Sequence, residues 1–148
     1  MSNSKLVACA AVALALGLGC NSRPSAPEAS EKAAPAAALA ELSVPQVAAA
    51  LKDKSAVVVD ANNPETREKF GVVPGAVLLS DHRSYALTEL PRDKAQPLVF
   101  YCGGTQCRAS DAAASRAASA GYAKVSVMRD GIKGWVAAGQ ATTSAPKS

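Results

Sequence analysis

Four short apolar runs alternate with segments that carry helix start or stop signals between residues 43 and 139. The apolar runs cover residues 56–59, 76–79, 97–101 and 124–128, and the helical segments cover residues 44–51, 64–70, 108–120 and 131–138. Ser43 and Pro45 are typical of a helix start, and Gly121 and Gly139 of helix ends. Short apolar runs with β-branched residues are typical of strands buried on both faces. The alternation predicts an α/β fold in which one parallel sheet carries helices on both faces.

The composition on either side of this region predicts a single domain with two flexible ends. The chain has 148 residues, which is enough for one domain. Residues 20–40 are rich in Ala, Pro, Ser and Glu, a composition that buries little surface and behaves as a tether. Residues 141–148 have the composition of a disordered tail. The folded unit is therefore predicted to span residues 41–140.

The amino terminus has the pattern of an export signal. Lys5 precedes 14 uncharged residues, and this stretch ends in Leu16-Gly-Leu-Gly-Cys20 before the chain turns polar. The stretch is too short for a membrane span of ~20 residues, but it suits the apolar core of a signal peptide. The ending resembles a bacterial lipobox, which predicts a signal peptide over residues 1–19, lipidation of Cys20, and a membrane-anchored domain in the bacterial envelope, facing the periplasm or the exterior. An ordinary secretory signal or an uncleaved anchor is the alternative, and which membrane is involved stays open.

Charge and metal-ligand spacing exclude two classes of function at this stage. The formal net charge is +4, but there is no run of five or more Lys or Arg residues and no basic stretch interleaved with aromatics. Nucleic-acid binding is therefore not predicted. No Cys or His residues have the spacing of a metal site, so neither a metal nor any other cofactor is expected.

The segment with most chemical content is the loop Cys102-Gly-Gly-Thr-Gln-Cys-Arg108. Cys102 ends an apolar strand, and a helix begins a few residues later. Ligands of open α/β sheets bind beyond the carboxyl ends of the strands. Gly103 and Gly104 let the backbone curl so that its N–H groups point inward, and the helix adds its positive end. Arg108 supplies a cation, and together these features predict a lowered pKa and a nucleophilic thiolate at Cys102.

Three segments in order make the chain resemble the rhodanese-like family over residues 42–139. The first segment comprises residues 57–60 and 63–65 together with the turn at residues 71–76. The second is the loop region at residues 99–110, and the third is Asp130-Gly-Ile-Lys-Gly-Trp135. The resemblance implies a small doubly wound α/β domain. It also implies transfer of a sulfane sulfur through a Cys102 persulfide, from a small sulfur-containing anion such as thiosulfate to cyanide or a thiol. Arg108 would then be catalytic, and the substrate-binding loop would comprise Gly103, Gly104, Thr105, Gln106 and Cys107.

The chain departs from the family pattern at three positions. Asn62 and Val72 stand where the family usually has Arg and His. Arg108 follows Cys102 by six positions rather than the five of typical sulfurtransferases. The longer loop is similar to that of the related cell-cycle phosphatase and arsenate reductase branch, which usually has His where this chain has Tyr101. The loop itself also lacks a carboxylate to protonate a leaving group.

Cys107 adds a second thiol to the loop, and its role stays open in the sequence. It can form a disulfide with Cys102, resolve a persulfide on Cys102, or point into the base of the loop. Three functions therefore remain: sulfur transfer, phosphatase or arsenate reductase chemistry on the same cysteine, and a binding or redox-sensing module without catalysis.

Four further residues are expected to have structural or surface roles. Trp135 is predicted to pack in the core beneath the loop, and Asp60 to support the backbone near the site. His82 and Arg129 are predicted to lie at the surface.

Overall fold

The computed structural model describes residues 39–145 and has the predicted α/β architecture. Five parallel strands form one sheet in the order β1-β5-β4-β2-β3. The strands are β1 (Ala40–Glu41), β2 (Val57–Asp60), β3 (Val77–Leu78), β4 (Leu98–Tyr101) and β5 (Val125–Met128). The helices are α1 (Val44–Lys52), α2 (Pro64–Phe70), α3 (Ala109–Ser119) and α4 (Gly131–Ala137), and Leu87–Glu89 forms a 3-10 turn. The α/β prediction is confirmed.

The central strand β4 divides the core into two layers. Leu98 and Phe100 pack on one face of the sheet and Val99 and Tyr101 on the other, because successive side chains of a strand point to opposite faces. All four are buried. An apolar run without polar alternation is thus explained by a strand that is covered on both sides.

Helices cover both faces of the sheet, as the alternating pattern predicted. On one face α3 contributes the small side chains of Ala113, Ala114 and Ala117, which let the helix approach the sheet closely. On the other face α1 and α4 contribute Val47 and Trp135. Trp135 is buried, as predicted, and its Nε1–H donates to the Ala141 carbonyl at 2.8 Å.

The predicted domain boundaries need correction at both ends. Ala40, assigned to the tether, begins edge strand β1, which pairs with β5. A two-residue strand has no periodicity to detect. The tail predicted from residue 141 is wrong in its first part, because Thr143 exchanges two backbone hydrogen bonds with Val72 at 2.9 and 3.0 Å. The predicted signal peptide, Cys20 and residues 146–148 lie outside the described residues.

A buried carboxylate ties β2 to β4 and α2. Asp60 is fully buried; it accepts hydrogen bonds from the Tyr101 hydroxyl and, at 2.6 Å, from the Asn62 amide N–H. Arg67 Nε lies 3.3 Å from Asp60 Oδ1, and its guanidinium also donates to the carbonyls of Asp60 and Leu79. The guanidinium that pairs with Asp60 thus comes from Arg67 of α2. The predicted structural role of Asp60 is confirmed.

No helix among residues 39–145 is both long enough and apolar enough to cross a membrane.

Candidate active site

Cys102 lies directly after β4, at the edge of the sheet where ligands of parallel α/β folds bind. Its residue is only 2% exposed. Its Sγ lies 3.3 Å from Ser110 Oγ, and the Ser110 backbone N–H also donates to it. Ser110 belongs to the first turn of α3, where backbone N–H groups have no partner within the helix. The first turn of α3 therefore supplies the Ser110 backbone N–H as a donor to the Cys102 sulfur and places the Ser110 hydroxyl within hydrogen-bond distance of it.

The amino terminus of α4 holds the backbone of the loop. Ile132 N–H donates to the Cys102 carbonyl at 2.8 Å, and Lys133 N–H donates to the Gly103 carbonyl at 3.3 Å. Gly131 has a φ of +60°, and a Cβ atom there would lie 2.3 Å from the Cys102 carbonyl oxygen and 2.6 Å from Gly104 N. Only glycine allows α4 to approach this closely, so the Gly131 position fixes where the loop lies.

Cys107 is the thiol that faces the cavities beside the loop. It is half-buried, whereas Cys102 is buried, and no disulfide joins them. Its sulfur accepts hydrogen bonds from the backbone N–H groups of Gly103 and Ala109 and interacts directly with the Cys102 thiol. Cys107 therefore has the amide environment that the sequence predicted for Cys102.

The two thiols have pKa values shifted in opposite directions. Burial raises the pKa of the Cys102 thiol, the interaction with Cys107 raises it further, and the donors of Ser110 offset this only in part. Burial also acts to raise the pKa of Cys107, but hydrogen bonds from the Cys102 thiol and the two backbone amides outweigh it, so the pKa is lowered. The predicted lowering of the Cys102 pKa is wrong for this conformation. The reason is that the residue is only 2% exposed, so its sulfur is removed from water.

The orientation expected for Arg108 is also wrong. Its side chain is 74% exposed, and its guanidinium lies 3.2 Å from Asp111 rather than over the sulfur of Cys102. Asp111 also pairs with Arg129, at 2.7 Å, and Arg129 contacts Glu41 as well. Arg129 is therefore not the solvated side chain that was predicted. Asp111, in the first turn of α3, thus holds the Arg108 side chain outward. A catalytic role for Arg108 stays a prediction.

A cavity of about 470 Å³ adjoins the loop and contains several polar groups. Cys107 and Gly103 form the wall nearest the reactive thiols. The other polar or charged lining residues are Asn62, Asn63, Glu65, Thr66, Lys69, His82 and Lys133. The Asn62 side-chain Nδ2 is buried and has no hydrogen-bond partner among residues 39–145. A smaller cavity of about 330 Å³, formed by residues 103–107 and Lys133, lies on the other side of Cys107. Lys133 and the Asn62 amide make this region suited to an anion.

Selective alkylation tests which thiol ionises first. We expect iodoacetamide at neutral pH to label Cys107 at least about tenfold faster than Cys102, because the thiolate is the nucleophile. Labelling of Cys102 should appear only as the pH rises further. Peptide mapping by mass spectrometry after timed quenching measures both rates. In denaturant the two thiols should react alike near their common pKa of about 8.5, and faster labelling of Cys102 in the folded domain would contradict the assignment.

Three residues of the site were missed by the sequence analysis. Ser110 was noted within a family segment without a role, although a serine in the first turn after a nucleophile loop is a usable signal. Gly131 was assigned only to a helix start, yet it sets the approach of α4 to the loop. Lys133 lines both cavities, and nothing in its local sequence marks it. His82 is half-buried and lines the larger cavity. No group of His, Cys, Asp and Glu among residues 39–145 is arranged to hold a metal ion.

Comparison with known proteins places the domain in a family. The model of the rhodanese-like domain matches residues 43–138, which is more than half of the chain. The chain therefore belongs to the rhodanese-like domain family. A search of curated proteins gives no significant match.

Solved structures with the same fold include two sulfurtransferases and one possible phosphatase. A thiosulfate sulfurtransferase from Pseudomonas aeruginosa is 23% identical with a TM-score of 0.60, covering 74% of this chain and 21% of that protein. A human single-domain sulfurtransferase is 19% identical with a TM-score of 0.52, covering 66% and 95%. A protein from Rhodopseudomonas palustris described as a possible tyrosine phosphatase is 22% identical with a TM-score of 0.58, covering 71% and 85%. At these identities the likeness establishes the fold alone.

Proposed function

We propose that the domain is a sulfurtransferase that carries a sulfane sulfur on Cys102. The observation that supports this most directly is that the Ser110 backbone N–H and the Ser110 hydroxyl, which can both donate to a sulfur anion, lie against the Cys102 sulfur at the positive end of α3. Such donors stabilise a sulfur anion, whether thiolate or persulfide. Membership of the rhodanese-like family and the two sulfurtransferases of the same fold are consistent with this chemistry.

The first step of the reaction transfers sulfur from the donor to Cys102. The Cys102 thiol first gives up its proton to water that enters with the donor. The Cys102 thiolate then attacks the outer sulfur of thiosulfate, a sulfur–sulfur bond forms, and sulfite leaves with the electron pair of the bond that breaks. Asn62 Nδ2 and Lys133 line the space in which the sulfonate oxygens would be held. Because Cys102 is buried and Cys107 lines the adjoining cavity, the Cys107 side chain must turn aside for the donor to enter.

The second step returns Cys102 to its starting form. Cyanide or a thiolate attacks the outer sulfur of the persulfide and leaves as thiocyanate or a new persulfide. The Cys102 thiolate is the leaving group, so no external oxidant or reductant is needed.

Thiocyanate formation from thiosulfate and cyanide tests the proposed function. With a dithiol present to keep both cysteines reduced, wild-type domain should turn over, and Cys102→Ala should lower kcat/KM by about a thousandfold or more, to the background rate. A urea unfolding curve for the variant controls for loss of folding. Turnover by Cys102→Ala within about tenfold of wild type would disprove the proposal.

A second candidate, hydrolysis of phosphate esters, is favoured by one feature of the loop. Arg108 follows Cys102 by six positions, and a possible tyrosine phosphatase shares the fold. Arg108 is directed away from the cysteine, however, and paired with Asp111. Hydrolysis of an aryl phosphate by wild type that is lost in Cys102→Ala, without thiocyanate formation, would favour this candidate.

We further propose that the domain works at a membrane of the bacterial envelope, anchored by a lipid on Cys20. The support is the lipobox-like ending of the apolar stretch and the polar, proline-containing segment that follows it. In bacteria fed a radiolabelled fatty acid, the full chain should incorporate label, and Cys20→Ser should not. Equal incorporation by both proteins would contradict the anchoring site.

A further inference from the structure

The two thiols of the loop differ in depth, because Cys102 is buried and Cys107 lines the space where ligands would enter. Cys107 lines both cavities beside the loop, whereas Cys102 lines neither of these and is 2% exposed. A large thiol acceptor therefore meets Cys107 first. The nearest nucleophile to a sulfur carried on Cys102 belongs to the domain itself.

Cys107 is also prepared to act as that nucleophile. The backbone N–H groups of Gly103 and Ala109 donate to its sulfur, and they lower the pKa of the Cys107 thiol and so favour its thiolate. The four residues between the cysteines include two consecutive glycines, so the loop backbone can adjust to bring the sulfurs together. Held beside its target, a thiolate reacts at a much higher effective concentration than an external thiol.

We propose that Cys107 discharges the Cys102 persulfide within the domain, so that the protein releases hydrogen sulfide and is left with a Cys102–Cys107 disulfide. This inference rests on the proposed function, because it begins from a sulfur bound to Cys102. The Cys107 thiolate attacks Cys102 Sγ, the bond between the two cysteine sulfurs forms, and the bond from Sγ to the outer sulfur breaks. The outer sulfur, which takes a proton from water, leaves as hydrosulfide with the electron pair. The two cysteines are oxidised and the sulfane sulfur is reduced.

A second turnover requires a partner of defined chemistry. The disulfide must be reduced by a dithiol, which exchanges through a mixed disulfide with the sulfur it attacks first. Cys107 is the accessible sulfur, so the dithiol attacks there and Cys102 leaves. A dithiol-bearing reductant protein is thus the expected partner, and an envelope location would place both in an oxidising compartment.

A single turnover without reductant tests the inference. Reduced full-length wild-type protein and the matched variant Cys107→Ser are freed of reductant, mixed with thiosulfate and desalted. Released sulfide is then measured, together with the intact mass under non-reducing conditions. Wild type should release about one equivalent of sulfide and become about 2 Da lighter, while Cys107→Ser should release none and become about 32 Da heavier. A dithiol added afterwards should restore the reduced mass of the wild type.

The outcomes separate this inference from the proposed function. If wild type keeps the added sulfur on either cysteine and releases no sulfide, while Cys107→Ser also gains it, the inference is wrong and sulfur transfer survives. Should neither protein gain mass or release sulfide, the sulfur-loading step itself fails, and with it the proposed function. Cys107→Ala serves as a second variant if the serine protein unfolds, and it should behave in the same way.

Discussion

Replacing Gly131 by alanine should disable the Cys102 loop, although Gly131 is 29 positions away in the chain. The new Cβ would lie 2.3 Å from the Cys102 carbonyl oxygen and 2.6 Å from Gly104 N, and both are backbone atoms that no rotamer change can remove. A positive φ costs a non-glycine residue roughly 1–2 kcal/mol, and overpacking adds about 1–3 kcal/mol. We expect the free energy of unfolding to fall by about 2–5 kcal/mol, and kcat/KM of the folded protein to fall by about a hundredfold.

Gly139→Ala is the matched control for this effect. Gly139 ends α4 and has a φ of +72°, but a Cβ there would contact nothing within 4 Å. In this variant the free energy of unfolding should fall only by the cost of the positive φ, about 1–2 kcal/mol. Its kcat/KM should be unchanged. Urea unfolding and thiocyanate formation measure both effects. Equal activity in the two variants would mean that α4 does not position the loop.

Replacing Arg67 by methionine should lower the free energy of unfolding by about 3–5 kcal/mol, a large fraction of the 5–15 kcal/mol typical of a domain. The carboxylate of Asp60 is fully buried, and Arg67 is its only cationic partner among residues 39–145. The same guanidinium satisfies the Asp60 and Leu79 carbonyls. Without it a charge stays buried with only the Tyr101 hydroxyl and the Asn62 N–H as donors.

A surface arginine and a double variant serve as controls for Arg67→Met. Arg83 is exposed and lies outside the described salt bridges, so Arg83→Met should change stability by less than about 0.5 kcal/mol. Adding Asp60→Asn to Arg67→Met should restore part of the loss, because no charge then remains buried. The urea midpoints of the four proteins measure these differences. A loss below about 1 kcal/mol in Arg67→Met would show that the pair contributes little.

The fold was predictable from the sequence to the extent that its elements are marked locally. β2, β4 and β5 are apolar runs, and α1 and α3 have start or stop residues, so their positions followed from neighbouring residues. Strand β1 has two residues and is held by pairing with β5, and Thr143 is held by pairing with Val72. Such pairings join distant parts of the chain, and no local pattern encodes them.

The candidate site was predictable in its residues but not in its electrostatics. Cys102, Cys107 and Arg108 lie in the loop that the sequence singled out, because adjacency to a strand end and a helix start is a property of the chain itself. Which thiol is more acidic, and where the guanidinium points, were predicted wrongly.

The sequence by itself determined a parallel α/β domain with a two-cysteine loop at the end of its central strand, since hydrophobic periodicity and chain connectivity specify both. Only the tertiary structure decided that Cys102 is buried while Cys107 lines the cavities, and that Gly131 brings α4 onto the loop. The acidity of a thiol depends on its exclusion from water and on the donors around it. The donors here are near neighbours in the chain, but the exclusion from water is set by packing between segments far apart in the chain, which residue spacing does not record.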